Sequence, residues 1–190
     1  MLRTFEEILP RVSADEVAAA AQRVLNAKGT AHYVYTSSLI RKLKEDGRLL
    51  IAVSGSIRDV ADPFAKSLGF DVVVCSDLEI VDSAYTGKRV RQTNKNKDKL
   101  LREVVEGNDA TFEDSVGVGD THRDIPLLEL TTHPIAFNPN AALFEEADKR
   151  GWKIVVERKN MIYELVKSTG GYTVESVHPN YSGPHQEQLQ

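Results

Sequence analysis

Short apolar runs alternate with helical patterns through the middle of the chain. The runs are continuous rather than alternating, which is typical of strands buried on both faces of a parallel sheet. They predict strands at 49–53, 72–75, 116–118, 134–137 and 153–156. The segments between them carry apolar residues at helical spacing, and several end at a glycine. This alternation predicts an α/β fold, a Rossmann-like parallel sheet flanked by helices.

Other patterns flank this α/β part. The front of the chain holds two helical patterns and no strand pattern, and Ser13 with Glu16 matches a capping box at the start of the second helix. Thr36 or Ser37 is the expected N-cap of the next helix. Near the end, two β patterns flank a Gly-Gly pair, and a stretch rich in Pro, Gly, Gln and Ser follows. The chain is therefore expected to divide into a helical piece, an α/β core, a possible hairpin and a mobile tail, at 1–35, 36–160, 161–177 and 178–190.

Composition excludes several classes of protein. A net charge of −4 and a pI near 5.8 argue against a nucleic-acid partner, which needs a clustered basic face. The single cysteine, Cys75, cannot form an intrachain disulfide and fits a reducing compartment. The sequence contains no apolar run of about 20 residues, and Glu6 and Glu7 do not fit a targeting peptide. We therefore expect a cytoplasmic protein with no membrane partner.

The stretch from Val116 to Asp124 carries the strongest chemical signal. Val116 to Val118 predict the end of a buried strand, and Gly119 allows a sharp turn where a side chain would obstruct a ligand. Asp120 then lies at the carboxyl end of the strand, where open α/β sheets bind ligands. Asp124 is the expected N-cap of the helix that follows. Two acids this close favour a hard divalent cation between them.

Two other segments offer anion-binding groups. Ser54-Gly55-Ser56 follows the 49–53 strand and precedes a helical pattern. It is either an ordinary serine cap or an anion site, in which the free N–H groups of a helix N-terminus and a serine hydroxyl point at one anion. The one basic concentration in the sequence, over 88–99, is mostly a solvated loop by composition. One of its lysines could reach an anion as a point charge, and spacing alone does not say which.

In their order along the chain, these motifs resemble the haloacid dehalogenase superfamily. The resemblance covers most of Thr36 to Glu157 and is closest to the phosphoserine-phosphatase-like branch, which has a helical cap domain; residues 1–35 are then part of that cap. It is carried by Val53-Ser54-Gly55-Ser56, Lys97 followed by Leu100-Leu101, Gly119-Asp120-x-x-x-Asp124, Ala136-Phe137-Asn138-Pro139 and Gly151-Trp152.

The resemblance implies a role for each anion-binding group. Ser54 and the N–H of Gly55 would hold the transferred phosphoryl group. Lys97 would neutralise the phosphate and the nucleophile, and Lys95 is the alternative because the register of this loop is loose. Positioning and charge neutralisation carry most of the catalysis in phosphoryl transfer.

The acidic pair also receives implied roles. Asp120 would be a ligand of Mg²⁺, and Asp124 would be a catalytic residue that holds the lysine or a metal-bound water. Asn138 would order a loop without taking part in the chemistry. The implied substrate is a small phosphorylated metabolite.

The sequence departs from the family in one respect. Members begin with a strand that ends in Asp-x-Asp-x-Thr, whose first Asp is the nucleophile and whose second is the general acid and base. This sequence contains no Asp-x-Asp. It starts within the apparent cap, so we interpret it as a phosphatase sequence truncated at its N-terminus and inactive as given, with two central strand edges unpaired.

Two alternatives stay open at this stage. One is a non-catalytic regulatory relative that keeps a phosphate or Mg²⁺ site. The other is a different phosphate-responsive class such as a receiver-like domain. The order of the motifs disfavours the receiver, because its acidic pair would come first and here the acids come last.

Overall fold

The computed structural model describes residues 9, 12–28, 32–93, 96–158 and 161–179. Its helices are α1 (Ala14–Lys28), α2 (Val34–Glu45), α3 (Arg58–Ser67), α4 (Lys97–Gly107), α5 (Ile125–Leu128) and α6 (Ala141–Arg150). Its strands are β1 (Ile51–Ile57), β2 (Val72–Val81), β3 (Ala84–Arg91), β4 (Val116–Gly119), β5 (His133–Phe137), β6 (Lys153–Arg158), β7 (Met161–Ser168) and β8 (Gly171–Pro179). They form two compact units, Met1–His32 with Ser37–Val104 and Tyr33–Thr36 with Val105–Gln190.

The first unit contains a three-stranded sheet in the order β1-β2-β3. β1 and β2 are parallel and joined by α3, whereas β2 and β3 form an antiparallel hairpin. The two turn residues of the hairpin, Asp82 and Ser83, both have positive φ angles, of 49° and 64°. Such turns match the twist of the strands they join. Leu9, Ile57 and Tyr85 are buried together in this unit.

The second unit contains a five-stranded sheet in the order β4-β5-β6-β7-β8. The first three strands are parallel and the last two antiparallel. A fully buried cluster packs helices against this sheet and consists of Leu128, Ala136, Leu143, Ala147 and Ile154. Asn140 caps α6 by accepting the Leu143 N–H at 2.9 Å, and Gly151 ends it in the left-handed conformation.

The α/β prediction is confirmed, with differences in detail. The described strands form two sheets rather than one, and β1 extends to Ile57 instead of ending at Val53. Residues 51–53 are half-buried rather than buried on both faces, because β1 pairs with β2 on one side and has no paired strand among the described residues on the other. The predicted first helix lies almost wholly outside the described residues.

The two predicted helix caps fared differently. The capping box of α1 is confirmed, since the Glu16 N–H donates to Ser13 Oγ at 3.2 Å and Glu16 Oε2 accepts the Ser13 N–H at 2.9 Å. The predicted start of α2 at Thr36 or Ser37 is wrong, because α2 begins at Val34. Its first N–H groups are bound by a residue 123 positions away, Glu157, which no local pattern reveals.

Candidate functional site

The Ser54-Gly55-Ser56 tip lies in a bulge of β1. Val53 pairs with Val74 and Ile57 pairs with Ser76, so three residues of β1 face the single residue Cys75 of β2. The surplus residues break the ladder and expose Ser56 at the carboxyl end of the strand. The bulge, and not only a strand end, therefore shapes this tip.

The Ser54-Gly55-Ser56 tip does not lie directly at the N-terminus of α3, as the sequence pattern predicted. The helix begins at Arg58, and its N-cap Ile57 offers no side-chain hydrogen bond. The Ser56 N–H does not point outward without a partner but donates to Ser54 Oγ at 3.2 Å. β1 continues past the tip because Ile57, which follows the bulge, pairs again with β2. Ser54 and Gly55 stay together at the tip, and the carbonyl of Gly55 is used by the Ser76 hydroxyl at 3.1 Å.

Lys97 is the first residue of α4 and is half-buried. Cations are disfavoured at a helix N-terminus, where the dipole is positive, unless an anion is near. A half-buried lysine there is therefore more suited to binding an anion than to stabilising its own helix. The alternative, Lys95, lies outside the described residues.

Asp124 is buried and orders the loop that follows β4. Only 6% of its surface is exposed. Its Oδ2 accepts the N–H groups of Asp120 at 3.2 Å and Thr121 at 3.0 Å, and also the Thr121 hydroxyl at 3.0 Å. Asp124 occupies the predicted N-cap position of α5, but its side chain makes no capping bond to that helix. The side chain is instead the capping-box partner of Thr121, the N-cap of a 3₁₀ turn over His122–Asp124.

Asp120 is exposed at the carboxyl end of β4. Its backbone is fixed on both sides, by the N–H bond to Asp124 and by its carbonyl, which accepts the Asn140 N–H at 2.9 Å. The Asn140 side chain also lies 3.4 Å from His122 Nδ1. This loop therefore presents one exposed carboxylate on a backbone held by hydrogen bonds on both sides.

Gly119 is required for a reason the sequence did not indicate. It was expected to keep space for a ligand, but a Cβ added there would lie 2.5 Å from Asp124 Cβ. The glycine makes room for the buried acid and thereby allows it to reach the amides of Asp120 and Thr121.

Carboxylates of the described residues are the candidates for holding a metal ion. The described residues contain no group of three or more His, Cys, Asp or Glu side chains placed to hold a metal ion. Mg²⁺ often takes one or two protein carboxylates and completes its shell with waters and substrate phosphate. Asp120 suits one such position, whereas Oδ2 of Asp124 is already occupied by three donors.

The structure places the predicted residues in two groups. Ser54, Gly55 and Lys97 belong to the first unit, and Asp120 and Asp124 to the second. Sequence reasoning missed Ser76, Thr121 and Asn140, which hold these groups through backbone hydrogen bonds. Only Thr121 had a readable signal, because Thr-x-x-Asp is a capping-box pattern.

In the part of the chain that the structure describes, no helix has the length and apolarity needed to cross a bilayer.

Comparison with known proteins identifies the class. The family described as haloacid dehalogenase-like hydrolase matches residues 1–129. This chain belongs to that family, and its relatives place it in the phosphoserine-phosphatase-like branch. It is 34% identical over 142 residues to the phosphoserine phosphatase SerB2 of Mycobacterium tuberculosis. That match covers 74% of this chain and 32% of the relative, so the chain spans about a third of the length of SerB2.

Two solved structures share the fold. A protein of unknown function from Bordetella pertussis Tohama I is 28% identical, with a TM-score of 0.68 over 78% of this chain and 70% of that one. A phospho-aspartyl intermediate analogue of phosphoserine phosphatase is 23% identical, with a TM-score of 0.62 over 83% and 71% of the two chains. The second likeness concerns the fold alone.

Proposed function

We propose that this chain is the phosphate-binding part of a phosphoserine-phosphatase-like hydrolase that acts on small phosphomonoesters in the cytoplasm. The observation that carries the proposal is the bulged Ser54-Gly55-Ser56 tip at the end of β1, in a chain of this family. Similarity to a phosphoserine phosphatase makes phosphoserine the first substrate to test. The single buried cysteine is compatible with a reducing compartment.

We assign phosphate binding to three residues of the first unit. The Ser54 hydroxyl and the Gly55 N–H would donate hydrogen bonds to phosphoryl oxygens. Lys97 would neutralise their charge, helped by the positive end of the α4 dipole. All three act by positioning and charge, which is what phosphoryl transfer asks of a protein.

We assign metal binding to Asp120 as a single ligand. An ion held there would supply a positive charge at this loop, which is what a divalent cation contributes to phosphoryl transfer. Asp124 would then act through Asp120, because its buried carboxylate fixes the Asp120 N–H and the loop geometry. The remaining ligands are not supplied by the described residues, so the role of the protein here is to hold one carboxylate exposed and correctly oriented.

The chain by itself is expected to bind phosphate without turning over a phosphomonoester. None of its 190 residues provides an Asp-x-Asp pair for nucleophilic attack and proton transfer.

An NMR titration of the ¹⁵N-labelled chain with inorganic phosphate tests the binding step. We expect the Gly55 amide resonance to shift, and Ser54→Ala to raise the Kd about tenfold, which corresponds to roughly 1.4 kcal/mol for one hydrogen bond to a charged group. Ser67→Ala is the control, because that exposed serine lies in the same unit and bonds to its own helix at Phe64. Equal effects of the two variants, or no shift at Gly55, would contradict the proposal.

A turnover assay on p-nitrophenyl phosphate with Mg²⁺ tests the second step. We expect no activity from the 190-residue chain. Robust turnover by this chain that is lost in the Asp120→Asn variant would contradict this expectation. It would show that the chain contains a nucleophile to which we assign no such role.

The absence of Asp-x-Asp also favours a second candidate, a non-catalytic phosphate-binding regulator. Both candidates predict phosphate binding by this chain, so they are separated by the product of the complete natural gene. Hydrolysis of phosphoserine by that protein supports the hydrolase, whereas binding without hydrolysis supports the regulator.

A further inference from the structure

Ser76 has no part in the roles assigned above, although it lies at the centre of the first unit. It follows the apolar run of β2, is fully buried, and pairs in register with Ile57 just past the bulge of β1. A hydroxyl in such a place costs free energy unless it is hydrogen-bonded. Its hydroxyl makes two such bonds.

One bond of Ser76 holds the tip. Its hydroxyl donates to the carbonyl of Gly55 at 3.1 Å, within the segment where the bulge has interrupted the β1–β2 ladder. A backbone carbonyl that has lost its ladder partner needs another donor when water is excluded. Ser76 supplies this donor and so fixes the peptide that links Gly55 to Ser56.

The other bond holds the segment that leads to Lys97. Ser76 Oγ accepts the N–H of Thr93 at 3.3 Å, and Thr93 is itself fully buried. The carbonyl of Thr93 accepts the Asn96 N–H at 3.1 Å, and that of Asn96 accepts the Leu100 N–H at 3.0 Å, inside α4. Hydrogen bonds thus connect the start of the Lys97 helix to Ser76.

Thr93 has a further feature that points to Ser76 as the anchor. Its own Oγ1 is buried and has no hydrogen-bond partner among the described residues. Its side chain therefore does not secure the loop by a polar contact, and its N–H bond to Ser76 does.

We propose that Ser76 is a positioning residue for phosphate binding. It fixes the Ser54–Gly55 tip and the Lys97 segment against each other through one hydroxyl group. This inference rests on the proposed function, because it assigns both attached segments to the same ligand. Binding groups must be held within a fraction of an ångström to act together, so loss of the bridge should weaken phosphate binding although Ser76 does not touch the ligand.

The test compares Ser76→Ala with Ser115→Ala. Ser115 is a matched control in the second unit, since its hydroxyl also donates to a carbonyl, that of Phe112 at 2.5 Å, and accepts a backbone N–H, that of Thr132 at 3.2 Å. Both variants lose the same kinds of bond. A general loss of stability should therefore affect both.

Two measurements are made on the folded 190-residue chain and its variants. The first is amide hydrogen exchange, which needs no ligand, and we expect Ser76→Ala to speed exchange at Ser56 and Thr93 about tenfold. The second is the Kd for inorganic phosphate by NMR, which we expect Ser76→Ala to raise by roughly five- to tenfold. Ser115→Ala should leave both quantities within about twofold of wild type.

Four results would overturn part or all of the proposal. Unchanged exchange at Ser56 and Thr93 overturns the bridge whatever phosphate does. Faster exchange with an unchanged Kd overturns the role in binding but leaves the proposed function intact. A wild-type chain that does not bind phosphate contradicts the proposed function and the role of Ser76 together, and this result is recognised before any variant is made. Equal loss of affinity in Ser115→Ala would make the effect one of stability and overturn the proposal.

Discussion

At the scale of single residues, close contacts between atoms require glycine at two positions where the sequence pattern would allow other residues. Gly119 must be glycine because Asp124 packs against it, and Gly117 meets the same constraint, since an added Cβ would lie 2.6 Å from Thr131 Oγ1. Neither of these glycines has a positive φ angle. Their role is to make space, which only the folded chain reveals.

Gly119→Ala should therefore displace the Asp124 carboxylate. The added methyl would lie 2.5 Å from Asp124 Cβ, well inside contact distance. We expect a loss of about 1–3 kcal/mol in the free energy of unfolding, measured by urea denaturation. Gly107→Ala is the control, because its Cβ would meet nothing within 4 Å and it lies at the end of α4. A Gly119→Ala variant as stable as Gly107→Ala would contradict this account.

Tyr85 should make the free energy of unfolding depend on pH in the alkaline range. Burial, and then its hydrogen bond to Asp59 at 2.8 Å, raise the pKa of Tyr85 far above its ordinary value of 10.0. Above pH 10 the unfolded chain releases this proton and the folded chain keeps it. The stabilising contribution of Tyr85 is thus complete below that pH and is lost as pH rises further.

The comparison is between wild type and Tyr85→Phe in urea titrations at several pH values. We expect wild type to be more stable by about 1 kcal/mol at neutral pH, through the hydrogen bond to Asp59. This advantage should stay nearly constant up to about pH 10 and then shrink by roughly 1.4 kcal/mol per pH unit. If the stability difference between wild type and Tyr85→Phe does not change with pH, the Tyr85 phenol ionises equally in the folded and the unfolded chain.

At the scale of elements, the structure departs from the pattern at element ends. β1 continues through a bulge beyond its apolar run, and α2 begins at Val34, two residues before the threonine and three before the serine expected to cap it. In the second case Glu157 accepts the N–H groups of Val34 at 2.9 Å and Tyr35 at 3.0 Å. Its own N–H donates to Asn138 Oδ1 at 2.9 Å, which ties the residue after β5 to β6. A buried carboxylate from β6 thus replaces a local cap.

Glu157→Gln should weaken the start of α2. The amide keeps one acceptor oxygen but loses the charge that suits a helix N-terminus, at a site only 5% exposed. We expect a loss of about 1–2 kcal/mol in the free energy of unfolding. Glu16→Gln is the matched control, because it alters the exposed capping box of α1 and should cost under about 1 kcal/mol. Equal losses would mean that burial of Glu157 adds nothing.

At the scale of the whole molecule, charge and composition set the classes of partner. The net charge of −4 leaves no general attraction to a polyanion, although phosphate is the proposed ligand. A few donors at fixed positions can bind one phosphate group without a basic face.

The chain should therefore not bind duplex DNA in about 0.15 M salt. Fluorescence anisotropy with a labelled duplex measures this, and a titration at low salt is the control for weak electrostatic contact. Micromolar affinity with a steep salt dependence would reveal a basic surface that composition does not predict.

By itself, the sequence determined the alternation of elements, the class of the fold, and the three motifs to which we assign phosphate chemistry. Apolar periodicity and local motifs are properties of neighbouring residues, so they are legible along the chain. The tertiary structure alone decided how those motifs are held: the bulge at Ser54, the inward turn of Asp124, and the bonds from Ser76 and Glu157. These depend on groups brought close by folding from distant positions, and the hydrogen bond that a buried polar group finds there is not written in the residues beside it.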